Sequence, residues 1–135
     1  MRGGGVLVRD GTIAAVGRER SLPPCDDVPV VDMGDAILIP GLVDAHCHLE
    51  WGLMGGLVDD APFGEWLGTF VRRTMGVTPL DRERAARWSA MTALRNGTTT
   101  VADSGPGGFG AAAAGEAGIR AIVHMEVFGR DIGAE

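Results

Sequence analysis

The chain has 135 residues, 45% of them hydrophobic and 22% charged, and a net charge of -6. That apolar share suffices for a packed core, while no apolar run approaches the roughly 20 residues of a membrane span. The excess of 18 acidic over 12 basic residues argues against nucleic acid as a partner, because such binders carry basic patches.

The first element is a β-hairpin. Val6-Leu7-Val8 and Thr12-Ile13-Ala14-Ala15-Val16 flank Asp10-Gly11, a pair suited to a tight two-residue turn. No charged segment followed by an apolar stretch opens the chain, so no secretory signal is read and the cytoplasm is the expected location. Cys25 lies in a proline-rich acidic loop and Cys47 in a later apolar run, with no Cys-x-x-Cys spacing and no disulfide framework.

A short apolar run, read as a strand over Leu42 to Leu49, ends on the most informative residues of the chain, His46 and His48. Residues two apart on a strand share a face, so Leu42, Asp44, His46 and His48 are expected together, with Val43, Ala45, Cys47 and Leu49 opposite. Two imidazoles projecting to one spot are suited to gripping one metal ion. The alternative is an accidental pair on a solvated edge. Alternation turns Cys47 away from the pair and makes it a packing residue rather than a ligand.

Beyond this strand, helices and strands alternate as a parallel α/β sheet requires. Trp66, Leu67, Phe70 and Val71 give Gly64 to Arg73 one apolar helical face. Thr78-Pro79-Leu80-Asp81 supplies an N-cap hydroxyl, a first-turn proline and an acid for a second helix that Asn96-Gly97 ends. Ala85, Trp88, Met91 and Leu94 recur along it and are expected to face the core. Thr98 to Asp103 reads as a strand. The glycine-rich run Gly105-Pro106-Gly107-Gly108-Phe109-Gly110 lacks the lysine of a phosphate cradle and is expected to be a flexible rim loop. Asp103 is a candidate to stand behind the metal ligands, with a loop anchor or helix N-cap as the plainer alternative. Phe109 to Ala117 is helical, with Gly118 after its end. Arg120 to Val127 is a third strand, with Ile122, His124 and Glu126 on one face.

The run Ile37-Leu38-Ile39-Pro40-Gly41-Leu42-Val43-Asp44-Ala45-His46-Cys47-His48-Leu49 resembles the first barrel strand of the amidohydrolase superfamily, preceded by the strand that leaves its small β-sandwich. Phe63-Gly64-Glu65-Trp66-Leu67, Asn96-Gly97-Thr98-Thr99-Thr100-Val101-Ala102-Asp103 and Ala117-Gly118-Ile119-Arg120-Ala121 resemble its deaminase and chlorohydrolase branch. The resemblance implies a (β/α)₈ TIM-type barrel preceded by a small β-sandwich. Such a barrel needs roughly 250 residues. The expectation is therefore a partial sandwich over residues 1–39 and about three βα units of an incomplete barrel over 40–135, with a further strand usual before the hairpin.

The resemblance also implies chemistry. His46 and His48 would bind Zn²⁺, or Fe²⁺ as the alternative, and a hydroxide formed on the metal would attack a ring carbon bearing an amino group. The remaining ligands and the proton-shuttling Glu, His and Asp are expected on later strands, beyond this sequence. His48-Leu49-Glu50-Trp51, the Gly56 to Phe63 spacer and Met125-Glu126-Val127-Phe128-Gly129 resemble the aminodeoxyfutalosine deaminases, and S-adenosylhomocysteine deaminases share the layout. A purine nucleoside-like small molecule is thus the expected substrate. Trp66 is a candidate to stack on its base or simply to anchor its own helix, Glu50 and Glu126 to bind ribose hydroxyls, with an arginine partner as the alternative for Glu126, and His124 to be a pocket wall or a core histidine. Alternatives are an amidohydrolase acting on an amide, cyclic imide or C–Cl bond, and a noncatalytic fragment. One chain of a split barrel completed by a second chain is a further alternative, and a homo-oligomer is left open.

Overall fold

A computed structural model of the chain describes residues 2–24 and 26–126. The chain divides into two compact units at Leu38 and Ile39.

In the first unit β1 (Gly4–Arg9) and β2 (Thr12–Arg18) pair antiparallel. Asp10 and Gly11 connect them with φ of 50° and 72°, the two positive values that a two-residue hairpin turn demands. The register steps between Leu7 and Val8, where Leu7 faces Ala15 and Val8 faces Ile13, leaving Ala14 as a bulge. Arg9 forks onto Asp27, with Nη1–Oδ2 at 2.7 Å and Nη2–Oδ1 at 2.8 Å, and this guanidinium holds the Asp27 carboxyl below the usual carboxylate range. Ile37-Leu38-Ile39, expected as a strand, pairs with no strand among the described residues and stays exposed. Without a neighbouring ladder its backbone gains nothing from strand geometry, and β1 and β2 are the only strands of the first unit among those residues.

The second unit is an α/β structure. β3 (Leu42–Cys47), β4 (Thr98–Gly105) and β5 (Arg120–Met125) form a parallel sheet in that order. A 3-10 turn (Leu49–Met54), α1 (Phe63–Thr74) and α2 (Pro79–Arg95) connect β3 to β4, and α3 (Phe109–Ala117) connects β4 to β5. Val127, expected to close β5, lies outside the described residues.

Local sequence explains the helix ends. Thr78 Oγ1 accepts the Asp81 N–H while Asp81 Oδ2 accepts the Thr78 N–H, a reciprocal cap that opens α2 behind Pro79. Hydrogen bonds from Thr78 hold the Asp81 carboxyl below its ordinary range. Gly118 closes α3 with φ of 71°.

The core forms where α2 and α3 cover one face of the sheet, around Leu49, Ala86, Ala90, Val101, Ala113 and Ala114. The expected stripe of α2 is therefore only half right. Ala85 is fully buried and Leu94 partly, but Trp88 and Met91 are 53% and 55% exposed, and Ala86 and Ala90 take their place. Steps of three residues on a helix of 3.6 per turn rotate steadily around the axis, so such a row spirals off any flat contact. The contact itself selects small residues, since the alanines of α2 meet the alanines of α3. Among the described residues no helix is long and apolar enough to cross a membrane.

Candidate metal centre

The histidine pair sits where β3 ends. The His46 and His48 ring centroids are 4.9 Å apart with their planes at 87°, so the side chains do converge. His46 is exposed and His48 half-buried. His48 Nδ1 meets the carbonyl oxygen of Ser104, at the end of β4. A carbonyl can only accept, so Nδ1 carries the proton and Nε2 retains the lone pair a metal would use.

The strict two-faced alternation expected along β3 does not hold. Asp44 lies opposite Val101 and Cys47 opposite Asp103, so β3 gains one residue on β4 between them. This bulge breaks the two-residue alternation and brings Asp44 and Cys47 to the same side. Both line a cleft of about 340 Å³ together with His48, against Trp88, Ser89 and Thr92 of α2. Asp44 Oδ1 accepts the His46 N–H at 3.2 Å. Cys47 is half-buried against the core, and burial, with the charges of Asp103 and Asp44 adding to it, pushes its thiol from 9.0 up to about 12. A thiol so disposed to keep its proton is a packing group.

The turn after the pair is pinned from two sides. Leu49 N–H donates to Asp103 Oδ1 at 2.7 Å, and Ser89 Oγ donates to the Leu49 carbonyl at 2.9 Å. Glu50, expected to meet ribose hydroxyls, is fully buried beneath this turn. Its Oε1 accepts the Gly107 N–H at 3.0 Å, and its Oε2 lies 3.6 Å from Arg82 Nη1. The Arg82 guanidinium in turn stands 4.4 Å above the Trp51 ring. The carboxylate is thus enclosed by this chain's own groups.

The glycine-rich loop is not a loose rim. A Cβ at Gly105 would lie 2.3 Å from Glu50 Oε1, one at Gly107 2.6 Å from Oε2, and one at Gly110 1.8 Å from Asp103 Oδ2. The glycines make room for two buried carboxylates beside the start of α3, where the helix end favours negative charge.

The other expected site residues lie apart. Trp66 stacks between Phe63 and Phe70, at centroid distances of 6.1 and 5.2 Å, and donates its indole N–H to the Val58 carbonyl at 3.1 Å. Phe70 meets Trp51 edge-on. Trp66 therefore ties α1 to the spacer before it. His124 is exposed and pairs in register with Ser104, the residue whose carbonyl His48 Nδ1 meets. Glu126 follows β5, half-buried, its N–H donating to the Gly105 carbonyl at 3.3 Å. Among the described residues no three His, Cys, Asp or Glu side chains converge to hold a metal ion. Ser89 and the Ser104 carbonyl carry no signal in the sequence, because each acts through tertiary contact alone.

The Amidohydrolase family profile matches residues 37–132. A 5-methylthioadenosine/S-adenosylhomocysteine deaminase of Nitratidesulfovibrio vulgaris is 38% identical over 102 residues, 74% of this chain and 23% of that protein. A triazine hydrolase from Arthobacter aurescens superposes with a TM-score of 0.56 at 27% identity, over 62% of this chain and 22% of the other. An adenosine deaminase from Xanthomonas campestris with bound Zn gives a TM-score of 0.53 at 31% identity, over 62% and 20%. This chain spans less than a quarter of the length of each of these proteins. Since the profile runs through the histidine pair, the parallel sheet and its helices, the chain belongs to the amidohydrolase family.

Proposed function

We propose that this chain supplies the first-strand half of the metal site of a hydrolase that deaminates an adenosine-like nucleoside. The observation that carries the reading is the convergence of His46 and His48 at 4.9 Å, with His48 Nδ1–H engaged by Ser104 so that Nε2 is left for a metal. The donor set fits Zn²⁺, with Fe²⁺ as the alternative, and the Zn bound by the Xanthomonas relative supports zinc. When bound, the ion supplies Lewis-acid activation of water. His46 and His48 hold it and Ser104 fixes the ring of His48.

On this reading the second unit, residues 40–135, is the opening of a (β/α)₈ barrel and residues 1–39 belong to a small β-sandwich. The names of the relatives favour a methylthioadenosine or related adenosine nucleoside, with an aminodeoxyfutalosine-type molecule in the same chemical class. A second reading, hydrolysis at another electrophilic ring carbon, is favoured by the likeness to the triazine hydrolase.

Two imidazoles fall short of the three protein ligands usual for catalytic zinc, so the chain alone is expected to bind zinc weakly and turn over little. Titration of the chain with Zn²⁺, followed by NMR of its three histidines, should shift His46 and His48 together. His46→Ala or His48→Ala should abolish the shift of the other. Zinc that leaves both rings unmoved overturns the reading. Ammonia release from adenosine nucleosides by the complete gene product, set against hydrolysis of triazines, separates the two substrate classes.

A further inference from the structure

We infer that Asp103 is a positioning residue for the metal-binding nitrogen of His48, acting through the backbone of Leu49 and not by touching metal or substrate. The inference rests on the metal reading above and gives that site a part held on a different strand.

Consecutive residues of β4 fix His48 at two levels. Asp103 Oδ1 takes the N–H of Leu49, the residue that follows His48, at 2.7 Å. Ser104 offers its carbonyl to His48 Nδ1. Because neighbouring residues of a strand point to opposite faces, the Asp103 side chain works from the helix-covered side while the Ser104 carbonyl lies in the strand at the height of the ring. Ser89 closes the arrangement by donating to the Leu49 carbonyl at 2.9 Å, and the Trp51 N–H reaches the His48 carbonyl at 3.1 Å. The turn that aims the ring is therefore set by hydrogen bonds on both sides.

A buried ion is a costly way to hold one amide. Asp103 is 1% exposed, and its Oδ2 has no hydrogen-bond partner among the described residues. Gly110 leaves that oxygen only the space of a missing side chain, 1.8 Å from where a Cβ would stand. A carboxylate kept in such a place for packing alone would be better replaced by an apolar group. What it does provide is an anchor of fixed length beneath the ring, and rigid support of a ligating histidine holds its tautomer and its direction.

The test uses the full chain with ¹⁵N-labelled histidine, Leu49 amide exchange and Zn²⁺ affinity as readouts. Asp103→Asn keeps an oxygen that can accept, and should keep Leu49 protected, His48 on its Nδ1–H tautomer and zinc affinity near that of the unaltered chain. Asp103→Ala should expose the Leu49 amide, mix the tautomers and weaken zinc roughly 10- to 100-fold. Asp103→Ser, polar but too short to reach the amide, should behave as Asp103→Ala and serves if the alanine variant does not fold. Thr78→Ala, which weakens α2 far from the histidines, controls for general loss of stability and should leave the His48 tautomer alone. The inference is overturned if the folded short-chain variants retain the tautomer and the affinity, if Asp103→Asn loses them, or if Thr78→Ala reproduces the effect. An unaltered chain that binds no zinc sinks the metal reading alone, since tautomer and amide exchange still report on Asp103 without metal.

Discussion

Gly110 shows how closely single atoms are fitted around the buried carboxylates. Its replacement by alanine would favour the helix on propensity, yet the new methyl group would stand 1.8 Å from Asp103 Oδ2. The clash should win, and Gly110→Ala should lower stability by about 1 to 3 kcal/mol, read from the urea midpoint. An unchanged or raised midpoint would show that Asp103 can move aside. Cys47 gives a pH-dependent counterpart. Burial first, and the Asp103 and Asp44 charges after it, raise the folded thiol from 9.0 to about 12, so the folded state holds this proton more tightly than the unfolded chain does. That contribution to stability is complete below 9.0 and is lost as pH rises toward 12. On a Cys25→Ser background, alkylation of Cys47 should keep accelerating well above 9.0, and a plateau there would contradict the geometry. At this scale the histidine pair was legible because alternation needs only two neighbours on one strand. That Asp44 and Cys47 come to one side was not legible, because a bulge is created by the partner strand, which the spacing along β3 does not report.

Helix ends were readable for a related reason, since a cap is made from residues three apart. Thr78 caps α2 as expected and Asp81 returns the bond, and Thr78→Ala should cost about 1 kcal/mol in chemical denaturation. The packed face of α2 was less readable. It is chosen by α3, whose Ala113 and Ala114 allow close approach only to small side chains, and so alanines are buried while Trp88 and Met91 stay largely outside. Ala90→Leu should therefore destabilise by about 1 to 3 kcal/mol, whereas Trp88→Ala, a far larger truncation, should change stability by only roughly 0.5 kcal/mol. The reverse order in the same denaturation series would restore the expected stripe. The Gly105 to Gly110 loop carries the same lesson. Its glycines were read as a flexible rim and not as a place of close approach, because Glu50 and Asp103, the groups that approach, come from distant parts of the sequence.

At the scale of the molecule, alternating helices and strands led directly to a parallel sheet, because that connection forces strands to run the same way. What covers the far face of that sheet is not a local property. Among the described residues β3 and β5 are both edge strands, and Val43, Ile122 and Met125 are 68%, 61% and 61% exposed along them. Unpaired backbone beside apolar side chains is a template for another strand, and the net charge of -6 opposes association only over distances that salt screens. The chain should therefore associate with itself, increasingly so as concentration and salt rise, in sedimentation velocity. Val43→Lys with Ile122→Lys should shift it toward monomer by placing charge on both edges without touching the buried alanines. If edge pairing is the cause, the double variant should also leave the urea midpoint of the dilute protein nearly unchanged. A monomer at all concentrations would mean that these edges are protected, and a variant that still associates would move the contact to the exposed residues of α2, Trp88 and Met91.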